Sequence, residues 1–429
     1  MKAPSVIRQL FRSEFFRNVS TLMTGTAIAQ AIPILISPIL SRLYSPDDFA
    51  VLALFVSIST IIGIVATGRY EMAVMLPKEK RDALNIIALS GLIAVGVSLL
   101  TLLLVWLLHD QVVLFFKEPL IGPWLYMIPV VVLFTGLFRT LNYWSTRNKT
   151  FKRNAATRIS QSTVASTTQL GLGALGSGSV GLVTGFIAGV LIRPFILGID
   201  IFKNFRNYRS QVSREVIKKN ARTYKDFPRI NTAHAFLGSL QDNGIVYVII
   251  YFFEKAVLGS YSFAFRVIKA PAELIGSSVY QVFFQKASQA QQSGQNLQPM
   301  VKRLYRNLFL TGLPFFVLLF IFSPQLFAFI FGAEWQAAGE IASILTPWIF
   351  LNFVAAPVSS LTIIMNKQKE AMGIALVDIS LRIISIVIGG AYGDFKLAFI
   401  LMSILCSLLL IFSLFWFHHI AQNKTNVTY

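Results

Sequence analysis

Ten ionisable side chains interrupt the apolar stretches of this 429-residue sequence, and they are the residues best placed to do chemistry. An ionised group inside a membrane-spanning stretch is costly unless it pairs with another charge or faces water. Each one therefore predicts either an ion pair or a polar pathway. The set has more cations than carboxylates, so its net charge is positive. Its members are Arg69, Arg139, Arg193, Arg266, Lys269 and Arg382 together with Glu71, Asp242, Glu273 and Asp378.

The excess of positive charge predicts a site for an anion. A cavity of low dielectric constant and positive sign attracts groups such as pyrophosphate, and the guanidinium fork donates paired hydrogen bonds to phosphate oxygens. Arg139 lies a few residues from the predicted end of its segment, so we expect its side chain to extend to the cytoplasmic surface instead. The predicted substrate-binding cations are Arg69, Arg193, Arg266, Lys269 and Arg382.

Two of the carboxylates have no obvious partner nearby in the sequence. Asp242 is the best candidate for coupling transport to H⁺ or Na⁺, and a salt bridge to Arg266 or Lys269 is the alternative. Glu71 follows Arg69 by two residues, about 200° around a helix, so we expect each of them to find a partner elsewhere. Glu71 is accordingly a candidate for ion coupling or gating.

The other two carboxylates lie four residues from a cation. Glu273 follows Lys269, and Asp378 precedes Arg382. Residues at this spacing share a helix face, so either carboxylate could neutralise its neighbour or act in ion coupling or gating. Arg266, Lys269 and Glu273 together form one helical stripe, and Lys269 is predicted to lie near the membrane midplane, where transporters bind substrate.

The sequence lacks the motifs that are typical of several enzyme classes. The sequence contains no Walker A sequence, no HExxH and no CxxC, and it has one Cys and four His, so neither a metal site nor an internal disulfide is expected. The longest polar connection, 203–231, leaves no room for a glycosyltransferase domain. We therefore expect a transporter with no cofactor other than a coupling ion, and no enzyme.

Composition predicts how these charges are positioned. The chain is 55% hydrophobic and 13% charged, whereas about a quarter of the residues in soluble domains are charged. Apolar blocks of about 20 residues, enough to cross a bilayer as helix, recur along the sequence. The predicted fold is an all-α polytopic membrane protein with twelve transmembrane helices. They are placed at 19–43, 49–75, 84–108, 121–144, 155–176, 180–202, 232–253, 257–285, 307–331, 340–365, 371–392 and 396–417.

The distribution of basic residues orients these segments. The formal net charge is +19, and 28 of the 38 Lys and Arg residues lie in alternate connections on one side, against four on the other. Positively charged short loops stay in the cytoplasm, so both termini are predicted to be cytoplasmic. Because the basic residues are loop residues of a membrane protein, we expect no nucleic-acid partner.

A weak internal repeat divides the chain. An offset of 218 residues aligns Pro129 with Pro347 and Asn148-Lys149 with Asn366-Lys367; chance similarity between apolar helices is the alternative. We predict two six-helix lobes around a central cavity, at 1–202 and 232–429. The basic connector 203–231 is predicted to form an interfacial helix on anionic headgroups or, alternatively, a solvated linker.

Three runs carry a resemblance to a known family. SPILSRLYSPDDFAVLALF at 37–55, RYEMAVMLP at 69–77 and FAFRVIKAPAELIGSSVYQVFFQKAS at 263–288 resemble the Wzx-like polysaccharide flippases of the multidrug/oligosaccharidyl-lipid/polysaccharide (MOP) superfamily. The resemblance implies two six-helix bundles, a cationic cavity and a polyprenyl-pyrophosphate-linked glycan as cargo. The family's cavity cations are matched here by Arg69, Arg193, Arg266 and Lys269.

The predicted function is translocation of an undecaprenyl-pyrophosphate-type oligosaccharide from the cytoplasmic to the external leaflet by alternating access. We expect a monomer in a bacterial inner membrane, in contact with membrane lipids and working with polysaccharide polymerase machinery. A cation-coupled exporter of drugs or small amphiphiles from the same superfamily is the alternative. A membrane-embedded polymerase or ligase is disfavoured because it needs large external loops.

Overall fold

The computed structural model describes residues 14–422, and within this range the chain is helical and contains no β-strand. The predicted cytoplasmic termini fall outside the described residues. The first half contains the helices α1 Glu14–Leu43, α2 Pro46–Val65, α3 Lys80–Phe116, α4 Gly122–Leu125, α5 Ile128–Arg147, α6 Phe151–Ala174, α7 Ser179–Lys203, α8 Phe205–Ser210, α9 Arg214–Thr223 and α10 Thr232–Asn243. The second half contains α11 Ile245–Phe252, α12 Lys255–Gln292, α13 Gln298–Phe331, α14 Gln336–Ala355, α15 Leu361–Ile364, α16 Gln368–Ala391 and α17 Phe395–Ile420.

The all-α polytopic membrane fold is confirmed. Within the described residues, nine helices are long and apolar enough to cross a membrane. A tenth span results if the pair Pro119–Leu125 and Ile128–Arg147, bent by 51°, is counted as one. Each of the twelve predicted segments overlaps one helix or two consecutive helices, but α6 is rich in Ser, Thr and Gln and α12 carries several charges. Those two helices do not have the composition of a span, and the count of twelve stays a prediction.

The chain forms two compact units. Unit 1 comprises Met1–Tyr44 and Val51–Val246, and unit 2 comprises Ser45–Ala50 and Tyr247–Tyr429. The lobes at 1–202 and 232–429, which the sequence repeat predicts, stay a prediction.

Unit 1 is held together by close helix contacts between α6 and α7. A Cβ atom added to Gly185 would lie 2.4 Å from Cγ of Gln169, and one added to Gly189 would lie 2.9 Å from Cβ of Ala165. Small residues at these positions let two helices approach closely, which compensates for the absence of a hydrophobic driving force in lipid. The Gln169 side chain also donates to the carbonyl of Leu182 at 3.1 Å.

Unit 2 contains an aromatic core near one end of α12. The ring of Phe263 lies 4.1 Å from that of Trp335 and 5.0 Å from that of Phe331, and Phe49 packs on both Phe263 and Trp335. Edge-to-face aromatic pairs of this kind add to the stabilisation from burial. A salt bridge of 3.3 Å between Lys255 and Asp47 flanks this core.

The basic connector folds as helices attached to unit 1. The Asn85 side chain accepts from the backbone N–H of Ser213 at 2.8 Å and donates to the carbonyl of Gln211 at 3.0 Å. The Tyr70 hydroxyl donates to the carbonyl of Ala221 at 2.9 Å. Helix α9 is therefore fixed to the end of α3 and to the segment after α2.

Candidate functional site

Unit 1 gathers four of the ten charged residues. Helix α2 ends at Val65, and the chain then turns through Gly68 and Arg69, whose φ angles are 55° and 59°. A 3₁₀-helix, Tyr70–Met75, follows. A non-glycine residue with positive φ is uncommon, so the turn holds Arg69 in a conformation that needs support from its surroundings.

The turn brings Arg69 and Glu71 together. A guanidinium nitrogen of Arg69, Nη1, lies 3.7 Å from Oε1 of Glu71, and the hydroxyl of Thr67 donates to the other carboxylate oxygen. The Glu71 side chain is fully buried. The expectation that these two residues would find separate partners is therefore wrong. It assumed a regular helix through 75, whereas the helix ends ten residues earlier.

Two further arginines lie beside this pair. Arg139 on α5 donates to the carbonyl of Ile64 at 3.4 Å and interacts electrostatically with both Glu71 and Arg69. Arg193 on α7 places its guanidinium 4.2 Å from the ring centroid of Phe138 and is close enough to Arg139 to be repelled by it. The expectation that Arg139 extends to the cytoplasmic surface is wrong, because it turns instead to the end of α2.

We call these residues, Arg69, Glu71, Arg139 and Arg193, the arginine cluster. The cluster contains three cations and one carboxylate, so it carries an excess of two positive charges. The Nε atoms of Arg69 and Arg193, like that of Arg382 in unit 2, are buried and have no hydrogen-bond partner among the described residues. Buried polar groups are normally paired, so donors left over in this way favour a ligand with acceptor oxygens.

A glycine sets how closely the cluster's helices approach. A Cβ atom added to Gly136 on α5 would lie 2.9 Å from Cβ of Ala94 and 3.2 Å from the methyl group of Thr67. Gly136 is about one turn before Arg139. Its lack of a side chain lets α5 pack against the turn that carries Thr67 and so keeps Arg139 near Glu71.

Unit 2 arranges its charges differently. Nζ of Lys269 lies 3.2 Å from Oε1 of Glu273 and 4.9 Å from the ring centroid of Phe265. Arg382 forms a salt bridge with Asp378, and both side chains are mostly buried, at 16% and 12% exposure. Each of these two cations is thus neutralised by the carboxylate one helical turn away.

An aromatic column connects the two pairs of unit 2. The guanidinium of Arg382 lies 4.7 Å from the ring centroid of Trp348, and Trp348 stacks on Phe265 at 5.8 Å. Because Lys269 lies over Phe265, each ring of this stacked pair contacts one of the two cations. Cation–π contacts of this type add to the fixation of both side chains.

The remaining two residues of the set are less constrained. Arg266 on α12 is exposed, and no carboxylate among the described side chains neutralises it. Asp242 belongs to α10, but its side chain lies outside the described part of the structure, so its predicted role stays a prediction. Within the described residues, no group of three or more His, Cys, Asp or Glu is arranged to hold a metal ion.

The fold is similar to that of solved MOP-superfamily transporters. An inward-facing multidrug resistance MATE family transporter superposes with a TM-score of 0.70 at 14% identity, covering 96% of this chain and 99% of the other. The lipid II flippase MurJ, in an inward closed conformation, gives 0.68 at 14% identity over 94% and 87%. A MOP superfamily transporter from Pyrococcus furiosus gives 0.56 at 14% identity over the whole of both chains. The chain thus has the fold of a MOP-superfamily transporter and is a multi-pass membrane protein.

The sequence identifies the family within this class. Residues 39–340 match the family model described as polysaccharide biosynthesis protein. This chain belongs to that family, and its resemblance to the Wzx-like flippases of the MOP superfamily is confirmed. A comparison with the sequences of curated proteins gives no match.

Proposed function

We propose that this protein is a flippase that carries a polyprenyl-pyrophosphate-linked oligosaccharide, of the undecaprenyl type, from the cytoplasmic to the external leaflet by alternating access. The observation that carries the proposal is the excess positive charge of the arginine cluster. Three guanidinium groups against one carboxylate attract an anion and repel a cationic drug. Membership of a polysaccharide biosynthesis family and the fold shared with a lipid II flippase support the same cargo.

The pyrophosphate is the part of the cargo that the cluster would bind. Arg139 and Arg193 lie on two different helices, α5 and α7, so their forks can approach phosphate oxygens from two directions. Hydrogen bonds to charged groups each contribute about 1.5–3 kcal/mol, enough to hold the headgroup without preventing its release. Glu71 keeps Arg69 in place and limits the net charge of the site.

The glycan needs a hydroxyl-rich route, and α6 supplies a surface of that kind. Residues 161–169 of this helix read QSTVASTTQ; Ala165 and Gln169 pack on α7, whereas Thr163 and Thr167, one turn apart on another face, are exposed. Ser and Thr hydroxyls accept and donate hydrogen bonds, as sugar hydroxyls do. We propose that the glycan passes along this face while the polyprenyl chain stays in lipid.

The exposed Arg266 offers a second cation to the same cargo at another stage of its movement. Since Lys269 and Arg382 are already neutralised by Glu273 and Asp378, we propose that Arg266 is the cation of unit 2 that contacts the substrate. Coupling to H⁺ or Na⁺ would then fall to Asp242 or to the buried Glu71.

The same proposal fixes the setting of the protein. We propose a location in a bacterial inner membrane, with both termini in the cytoplasm, where the basic connections are predicted to lie. The protein would act as a monomer in the bilayer and deliver its cargo to the polymerase machinery on the external side.

The test is reconstitution of the purified full chain in liposomes with a fluorescent undecaprenyl-pyrophosphate glycan. We expect the wild-type protein to move the glycan lipid between leaflets, and the Arg139→Ala/Arg193→Ala variant to lose about 100-fold or more in rate, since two charged donors are removed. An amphiphilic cation such as ethidium should not be transported. Ethidium transport without movement of the glycan lipid would establish the drug exporter instead.

A matched control separates the cluster from basic charge in general. Arg158→Ala, also in unit 1, removes an exposed cation that donates to Thr26 at 2.9 Å. This variant should transport at close to the wild-type rate. If it loses as much activity as the double variant, or if the double variant stays active at normal protein levels, the arginine cluster does not bind the cargo.

A further inference from the structure

Unit 2 contains a groove that is not used by any step described above. It lies beside the first turns of α13 and has a volume of about 640 Å³, within the range of pockets that hold small organic ligands. Its lining combines the basic side chains Lys302, Arg303 and Arg306 with the apolar side chains Phe309, Leu310 and Leu414. We propose that this groove binds an anionic phospholipid of the cytoplasmic leaflet.

The spacing of the lining residues puts charge at one end and hydrocarbon at the other. Lys302, Arg303 and Arg306 occupy one stripe of α13, and Phe309 and Leu310 continue that stripe on the next turn. At 1.5 Å per residue, Leu310 lies about 11 Å along the helix from Arg303. The groove therefore offers a basic end and an apolar end within the length that the phosphate and the first part of the acyl chains of one lipid would cover.

The length of α13 sets the depth of this stripe in the membrane. The helix has 34 residues, about 51 Å, whereas the hydrocarbon core is about 30 Å thick. Its surplus turns must lie at headgroup level. Lys302 to Arg306 belong to the first three turns, so they match the depth of lipid phosphates, and Phe309 and Leu310 match the outer part of the hydrocarbon.

The basic side chains are available to a ligand. Lys302, Arg303 and Arg306 are exposed, and none of them pairs with a carboxylate among the side chains that the structure describes. The apolar wall is also open, because Phe309 is 43% and Leu310 is 60% exposed. Three unpaired cations next to an open apolar wall fit a ligand that is both anionic and apolar, and basic pockets between membrane helices bind lipid headgroups of this kind.

The floor of the groove is fixed. Tyr305 on α13 donates its hydroxyl hydrogen to the carbonyl of Leu414 on α17 at 3.3 Å, and Val354 on α14 is buried behind them. Three helices thus hold the walls in place. A bound lipid would fill space between α13 and α17 and stabilise their packing.

Native mass spectrometry of the purified full chain, titrated with phosphatidylglycerol or with phosphatidylcholine, tests the proposal. We expect the wild-type protein to retain phosphatidylglycerol in preference to phosphatidylcholine. The Lys302→Ala/Arg303→Ala/Arg306→Ala variant should bind phosphatidylglycerol about 100-fold more weakly, because each basic residue near the membrane surface strengthens the binding of anionic lipid about fivefold. Equal retention of the two lipids by the wild-type protein, or unchanged retention by the triple variant, overturns the proposal.

Two matched controls define the site. Lys78→Ala/Arg81→Ala/Lys152→Ala removes three exposed cations of unit 1, outside the connector and the arginine cluster, and should leave lipid retention unchanged. Leu310→Trp should weaken binding by filling the apolar end, whereas Leu318→Trp, on an exposed position of the same helix, should not. If the unit 1 control variant loses lipid as the groove variant does, the effect is that of total charge, and the groove is not the site.

Discussion

The two units of this protein neutralise their intramembrane charges differently. In unit 1, the arginine cluster contains three cations and one carboxylate, Glu71. In unit 2, Lys269 and Arg382 each have a carboxylate one turn away on the same helix. In the sequence, all of these residues are charges within apolar segments. The two arrangements differ in the partners that each charge finds.

The two arrangements suit different roles. Charges that are paired within the protein stabilise its fold, and charges without a partner are available to bind a ligand. In a compensated pair, the attraction between the two charges offsets part of the cost of removing them from water, and the pair needs no ligand to neutralise it. An uncompensated cluster raises the energy of the empty protein, because its like charges repel one another. We infer that such a cluster is retained in unit 1 because an anionic substrate relieves this cost during transport.

Reversing one charge of the arginine cluster is expected to give the largest effect. Arg193→Glu makes the cluster neutral and places a carboxylate where a phosphate is expected to bind. Repulsion then replaces attraction, so glycan-lipid translocation should fall by more than about 100-fold. The rate of movement of a fluorescent glycan lipid in liposomes checks this.

Arg193→Lys provides the graded control for that reversal. Lysine keeps the charge but loses the planar fork, so activity should fall only about 10-fold, the equivalent of one charge-assisted hydrogen bond. If the glutamate variant transports as well as the lysine variant, the excess charge of unit 1 has no role in binding.

Breaking the buried pair of unit 2 should come next in size. Asp378→Ala leaves Arg382 without its carboxylate in a site where both side chains are mostly buried. Removing one partner of a buried pair typically costs about 3–5 kcal/mol, so we expect a loss of stability in this range, measured by unfolding in detergent.

The companion variant Asp378→Leu/Arg382→Met sharpens the contrast with unit 1. Replacing a buried pair by apolar residues of similar size is often neutral or stabilising, so the double variant should recover both stability and transport. A stable double variant that no longer transports would show that the pair belongs to the substrate site, and the contrast between the units would fail.

Much of the helical framework could be predicted from the sequence. Apolar blocks of spanning length are set by the bilayer thickness, and each predicted block overlaps one helix or two consecutive helices of the structure. The break that matters for the site is 66–75, where the chain leaves helix α2. Gly68 is a turn signal, but the left-handed conformation of Arg69 depends on tertiary contacts that periodicity does not encode.

The sequence does not predict that Arg139 belongs to the arginine cluster, for a related reason. Arg139 is close to the predicted end of its segment, and proximity along the chain favoured the surface over the interior. Its actual partners, the carbonyl of Ile64 and the carboxylate of Glu71, are about 70 residues away in sequence. By contrast, the four-residue spacing of Lys269–Glu273 and Arg382–Asp378 does predict a local ion pair as one of two possible roles for each carboxylate.

A larger side chain at Gly136, where α5 packs beside the arginine cluster, is expected to have an intermediate effect. Gly136→Leu forces α5 away from Ala94 and Thr67, so stability should fall by about 1–3 kcal/mol and translocation should fall with it. Gly96→Leu on α3 is the matched control, since a Cβ atom there meets nothing within 4 Å. Thermal unfolding of both variants checks the prediction, and equal loss in the two would remove the assigned role of Gly136.

The smallest effect is expected at the exposed pair of unit 2. Lys269 is 34% and Glu273 is 52% exposed, so solvent screens their interaction and removal of both charges should change stability by no more than about 1 kcal/mol. Lys269→Gln/Glu273→Gln also leaves the local net charge unchanged, and translocation should therefore stay within about threefold of the wild-type rate. The single variant Lys269→Gln removes a cation that Glu273 already neutralises, and it too should transport. A loss of transport in the double variant comparable to that of Arg193→Glu would place a second substrate-binding cation at Lys269 and would mean that a carboxylate one turn away does not exclude a cation from the transport path.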